Sequence, residues 1–287
     1  DVMVEIPKIG YRIYSDSTYL YVKITDQPNA PNFCYLAHSL DNINDCDKIY
    51  MGAYLAYGEN GKLHSISGAT IAINIGLSTA RIRAEAKGTG YQLVSLYPWT
   101  LLQCLYTVMY RNLNSESTIG WGIIGQSTPK PTGGTNDKGP CYGAQSSDQQ
   151  VCFLNIEDVW AHMQCHLDGL VSDGSRNLKA AYKGFNDTGA NYPYSLTTGF
   201  SQLTNGYVKE VQGTNEFGFV MKSIGGSAST YFCDEGTVQV SCTAHTGGNY
   251  NMSGGTNGMF NLEVYMLQSQ TNGTSSTAAR ILYKHKA

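Results

Sequence analysis

Helix-forming sequence in this 287-residue chain is confined to the part before residue 114, and almost everything after residue 120 is written in Gly, Pro, Ser, Thr and Asn. That division leaves few architectures open, because two helices followed by short strands and turns is the order of an α+β fold. Residues 78–87 (STARIRAEAK) hold good helix formers, with Ser78 as a candidate N-cap and Gly88 where a C-cap falls. Residues 96–113 (LYPWTLLQCLYTVMYRNL) place Leu101, Leu102, Leu105, Val108 and Met109 at helical spacing, with Pro98 tolerable in a first turn. Ahead of them, Val2, Val4 and Ile6 alternate with Met3 and Glu5 as in a strand, and residues 11–24 (YRIYSDSTYLYVKI) read as a hairpin turning at Ser15, Asp16 and Ser17.

The second half reads as loops and mostly antiparallel strands. Residues 127–150 are rich in chain breakers and poor in apolar side chains, and are expected to form a long ordered loop within a single domain spanning residues 1–287. Charged residues make up 14% of the chain, against about 25% in an average domain. Their place is taken by 21 Tyr, 32 Gly and many Asn, Ser and Thr, the palette of binding surfaces and equally of turn-rich β proteins. A net charge of −3 gives no electrostatic reason to expect nucleic acid or an anionic membrane as partner. No stretch approaches the roughly 20 apolar residues of a membrane span, and the first residues lack the basic-then-apolar order of a signal peptide, so the chain reads as soluble.

The eight cysteines, at 34, 46, 104, 141, 152, 165, 233 and 242, contain no CxxC pair, which removes a zinc ribbon. Cys141 with Cys152 and Cys233 with Cys242 can each close a short loop, but synthesis inside a cell favours free, buried thiols.

A series of segments in order resembles the tail and prophage minor structural proteins of bacteriophages, whose C-terminal part adopts a C-type-lectin-like fold. They are DVMVEIPK at the start, IYMGAY at 49–54, KLHSISG at 62–68, AKGTGY at 86–91 and NLNSESTIG at 112–120. NIEDVW at 155–160, Asp168 with Gly169, GGNYNMSGGTNGMF at 247–260 and AARILY at 278–283 complete the series. The chain departs from the family at residues 161–164, where AHMQ stands in place of Gly-Asn-Ile-Trp. The resemblance implies an α+β lectin-like domain whose first and last strands pair, Val2 to Ile6 lying antiparallel to Arg280 to Tyr283. It also implies a non-enzymatic adhesin of a tail fibre or tip, made in the bacterial cytoplasm and carried in the virion. Such a module binds a host-surface glycan or protein, contacts other tail proteins and assembles as a homo-oligomer, a trimer by the symmetry of tails. Two alternatives are a structural tail component without a ligand and, on the same fold, a copper-dependent oxidase of the formylglycine-generating type. The oxidase needs a cysteine pair beside the closing strands, whereas no Cys follows residue 242.

In related retroelement-diversified phage proteins the C-terminal region carries the receptor-contacting residues. Carried over, this makes Tyr231, Phe232, Asp234, His245, Asn249, Tyr250, Asn251, Asn257 and Tyr265 the candidate ligand-binding set. About half of them are expected to be exposed, the rest, like Phe260, belonging to the core. No cofactor, metal or catalytic residue is assigned. His162, Cys165 and His166 would share one helical face as a metal triplet if their segment were helical, or else line the core. The acidic pairs Glu157–Asp158, Asp45/Asp47 and Asp234–Glu235 suit calcium, but the Glu-Pro-Asn and Gln-Pro-Asp tripeptides of calcium-dependent sugar binding are absent. Gly225, Gly226, Gly254 and Gly255 read as turn glycines, since no downstream Gly-Lys makes a phosphate loop.

Overall fold

The structure, a computed structural model, describes residues 1–252 and 256–286; Gly254 and Gly255 lie outside the described residues. The chain opens with strands β1 (Met3–Pro7), β2 (Gly10–Ser15), β3 (Leu20–Thr25), β4 (Cys46–Gly52), β5 (Tyr57–Glu59) and β6 (Lys62–His64). Helix α1 (Leu77–Glu85), strand β7 (Tyr91–Leu93), helix α2 (Leu96–Tyr110) and a single helical turn, α3 (Ser115–Thr118), follow. Next come β8 (Cys141–Tyr142), β9 (Cys152–Phe153), β10 (Ile156–Glu157), β11 (Gln164–Ser172), β12 (Leu178–Ala180) and β13 (Tyr194–Leu196). The chain closes with β14 (Thr204–Val211), β15 (Met221–Ile224), β16 (Glu235–Val238), β17 (Cys242–Thr246), β18 (Leu262–Leu267), β19 (Thr277–Ala278) and β20 (Ile281–Lys286). The fold is mixed α+β and dominated by antiparallel strands, as expected from the division of helix signal.

Helix α2 is the centre of the molecule. Every residue from Leu96 to Tyr106 is buried, which is possible only for a helix apolar on all sides. Beyond that the helix leaves the core, and Val108 and Met109, expected on the apolar stripe, are 37% and 50% exposed. Arg111 ends it in the left-handed conformation, φ +50°. Helix α1 buries Leu77, Ala80 and Ala84 against Leu93 and Ile281. Its N-cap is Gly76 rather than Ser78, and the residue after the glycine, Leu77, already starts the helix.

The terminal strands share a four-stranded sheet of order β1-β4-β20-β7. They do not pair with each other as expected: β4 lies between them, with Ile49 opposite Ile6 on one side and Lys284 on the other. The reason is burial. Ile49 and Met51 of β4 are fully buried, and a strand that buries its side chains this deeply takes the position where both edges are hydrogen-bonded. Because β1 and β20 both run antiparallel to β4, they are parallel to each other, and the two termini lie toward opposite ends of the sheet. Arg280, fully buried ahead of β20, donates to the carbonyls of Gly52 (2.8 Å) and Asp158 (3.1 Å) and so ties this sheet to the turn after β10.

The larger sheet runs β13-β12-β11-β17-β18-β16-β14-β15, with β19 added parallel to β11. One core cluster reaches from Ile6 to Leu282 and draws on both sheets and α2. Residues 127–150 form a loop broken only by β8 among the described residues, and buried Glu157 orders it. Its Oε1 accepts from the Gly133 amide (2.7 Å) and Gln150 Nε2 (3.0 Å), and its Oε2 from the Thr135 amide (2.8 Å) and hydroxyl (2.7 Å). A loop whose backbone donors are taken up this way holds its shape without a core of its own. Among the described residues no helix is long and apolar enough to cross a membrane.

Candidate ligand-binding site

Six of the nine residues expected at a binding face are buried. Asp234 Oδ2 accepts from the Phe260 amide at 2.8 Å, and burial pushes its carboxyl well above the usual range. Phe232 packs edge-to-face on Phe260, ring centroids 5.4 Å apart. His245 meets His166 inside the sheet. Asn257 Oδ1 accepts from the Asn249 amide at 3.0 Å, so both close the turn between β17 and β18. The Tyr250 ring belongs to an apolar cluster with Leu55, Ile71, Ile123 and Met163. Tyr231, Asn251 and Tyr265 are exposed, and they line none of the cavities described below. The glycines and small residues of this region shape tight turns around buried aromatics rather than an open surface.

The metal triplet is also dispersed. Residues 162–166 are not helical: Cys165 and His166 are neighbours in β11 and point to opposite faces, while His162 precedes the strand at φ +49°. No group of three or more metal-ligating side chains occurs among the described residues. His162 shares a hydrogen bond of 2.7 Å between Nδ1 and Asp158, and its Nε2 accepts from the Lys130 amide at 2.9 Å. With Nε2 accepting, Nδ1 carries the proton, and the ring has no lone pair left to activate a nucleophile.

The acidic pairs are engaged likewise. Glu157 holds the long loop, and Asp45 accepts the amides of Leu40, Asp41 and Asn42. Asp47 pairs with Lys8 at 3.1 Å. All eight cysteines are free thiols. Cys141 lies opposite Phe153 and Cys152 opposite Tyr142, so the two side chains leave their hairpin on opposite faces. Cys233 precedes β16 and Cys242 begins β17, with β18 between those strands.

A cleft that can take a ligand lies elsewhere, at the edge of the large sheet. It has a volume of about 800 Å³ and is walled by the connection between β12 and β13 and by Ile43 from the opposite loop. Tyr182 and Tyr194 supply half-buried rings, and Lys183, Asn186, Thr188 and Asn191 supply polar groups. The sequence here, AYKGFNDTGANYPYS at 181–195, has the same Tyr, Asn, Gly and Thr palette that marks binding loops, and this was the available signal. It was outweighed by the family resemblance, which points to the C-terminal strands.

The wall is built to be rigid. Asn186 Oδ1 accepts from the amides of Thr188 (3.2 Å) and Ala190 (3.0 Å), and its Nδ2 donates to the carbonyls of Gly184 (3.2 Å) and Ala190 (3.0 Å). The buried Tyr192 hydroxyl donates to the Asn186 carbonyl (2.8 Å) and accepts from its amide (3.0 Å). Gly189 adopts φ +69°, where a Cβ would stand 2.5 Å from Val171 Cγ2, so only glycine fits.

Arg81 of α1 anchors the loop from below. Its Nε and Nη2 meet Asp168 of β11 at 2.7 and 2.9 Å, and Nη2 also reaches Asp187 at 2.8 Å. Burial disfavours the Arg81 cation, but the two carboxylates outweigh it and raise its pKa further. The Lys183 ammonium donates to the Asp41 carbonyl and ties the loop to the facing wall.

A second cavity of about 500 Å³ adjoins the first and shares Ile43 and Tyr194 with it. Phe33, Asn29, Asn44 and Glu216 are among its lining residues. Tyr194 stands between the two, its ring edge-to-face with buried Tyr97 at 6.2 Å and 75°. No protein-family model matches the chain, and no curated protein matches it.

Proposed function

We propose that this protein is a non-enzymatic receptor-binding module of a phage tail fibre or tip, and that it recognises a host-surface glycan in the cleft beside Tyr182 and Tyr194. The observation that carries the reading is the make-up of that cleft. Two tyrosine rings offer stacking surfaces for the apolar face of a sugar, while amide, hydroxyl and ammonium groups are set around them on a loop ordered by its own hydrogen bonds.

The C-type-lectin-like assignment, the tail location and the trimeric assembly rest on the family resemblance. The helices early in the chain support it. A glycan array combined with attachment to intact candidate host cells tests the function. The protein binds a discrete set of glycans, and Tyr182→Ala weakens attachment roughly tenfold or more with little change in melting temperature, as expected for an aromatic anchor at a binding surface. Undiminished attachment by a folded Tyr182→Ala variant, with no glycan bound on the array, would sink the reading.

A further inference from the structure

The cleft and the cavity beside it share two wall residues, and side by side they offer a groove whose lining defines what fits. Ile43, 60% exposed, and Tyr194 belong to both compartments and make a saddle between them. The first compartment presents Tyr182. The second presents Phe33, a half-exposed ring that belongs to none of the apolar core clusters. Three aromatic side chains, Tyr182, Tyr194 and Phe33, therefore follow one another along the groove, with amides of Asn191, Asn44 and Asn29 among its lining.

A buried group stands behind the saddle. The Tyr97 hydroxyl is fully buried and has no hydrogen-bond partner among the described residues. It lies within electrostatic reach of Tyr194, Cys34 and Glu216, all of which line the second cavity. Tyr97 itself lines neither cavity, and its ring supports Tyr194 edge-to-face, so it holds one of the stacking rings in place rather than meeting the ligand. The charges along the groove do not select a charged ligand. Lys183 at one end is held by the Asp41 carbonyl, and Glu216 at the other has the opposite sign.

We infer that the groove binds an extended, uncharged oligosaccharide, with successive sugars stacked on Tyr182, Tyr194 and Phe33, rather than a single terminal sugar. This rests on the glycan-binding reading and adds its length, its neutrality and its second compartment.

Titration calorimetry with neutral β-glucan, chitin and mannan oligomers of one to six units tests it. For the series that binds, affinity rises with each unit until the groove is filled. Phe33→Ala removes roughly tenfold of the affinity for the long oligomers and leaves the shortest binder unaffected, while Tyr182→Ala weakens all lengths. Phe33 belongs to none of the apolar core clusters, so Phe33→Ala keeps the melting temperature nearly unchanged, which separates loss of a ligand contact from loss of fold. Length-independent binding, or a length dependence that survives Phe33→Ala in a folded protein, would overturn the extended groove and leave the glycan reading standing. Binding of no oligomer in any series would overturn both.

Discussion

His166 and His245 face each other across β11 and β17, and the hydrogen bonds they make fix both tautomers. His166 Nε2 donates to the Ile75 carbonyl at 2.8 Å, so its Nδ1 accepts from His245 Nε2, also at 2.8 Å. A proton added to His166 would place two hydrogens between the two nitrogens, and one added to His245 would put a charge in the buried interior of the sheet. Burial accordingly lowers the pKa of His166 to about 4 and that of His245 well below the usual imidazole value; Arg81 and Asp187 are the charges facing the pair. The unfolded chain takes up protons near pH 6.5 and the folded chain does not, so the pair contributes a stability that is lost as pH falls from about 6.5 towards about 4. Buried carboxylates such as Asp234 and Glu157, raised by burial, act in the opposite sense, so the difference between proteins is the useful quantity. In denaturant unfolding, the double variant His166→Gln, His245→Gln gains on the wild type between pH 7 and pH 5, by up to about 1.4 kcal/mol per histidine per pH unit. A difference that does not change with pH would show that the pair does not titrate. Tyr250→Ala belongs to the same scale. Removing a ring that fills the cluster around Leu55 and Met163 should cost about 3 kcal/mol and lower the melting temperature by several degrees, measured by thermal unfolding.

Among the elements, the connection between β12 and β13 has most to do with the proposed binding, and much of its order comes from one side chain. Asn186 satisfies amides and carbonyls from Gly184 to Ala190, while the ends of the loop are pinned by Arg81 and by register with β11. Asn186→Ala removes those internal bonds and leaves the anchors, so the loop loosens while the sheet stays folded. Amide hydrogen exchange over residues 184–192 should accelerate, glycan affinity should fall severalfold, and the melting temperature should shift little, because the bonds lost are local and near the surface. Slow exchange in the variant would mean that the Arg81 anchor alone orders the loop. The two main helices and the β2–β3 hairpin were legible in the sequence because each is a local pattern, of apolar spacing or of a turn between alternating strands. The neighbour of β1 was not legible, since the choice of β4 over β20 is made by long-range burial of Ile49 and Met51 and leaves no mark on β1 itself.

On the scale of the whole molecule, the exposed groove and the proposed tail location bear on assembly. Tail fibres and tips are symmetric about the tail axis, and we predict a homotrimer, which light scattering of the protein would report as three times the 31.2 kDa chain mass. A monomer at all concentrations would count against the trimer and leave the groove untouched.

Composition and local pattern determined that this chain is α+β, that its helices come early, and that residues 127–150 are an ordered loop, because propensity, apolar spacing and chain breakers act over a few residues. Which aromatic residues would meet solvent was decided only by the tertiary structure. Tyr250 has the same neighbours in kind as Tyr182 and Tyr194, glycine, asparagine and threonine among them, and Phe232 lies in an equally polar stretch. The first two are covered by apolar side chains from distant strands, and the second two pack one side on the core and leave the other facing the cleft at the sheet edge. Exposure is a property of what the rest of the chain brings against a side chain, so the binding surface could be recognised by its composition but located only in three dimensions.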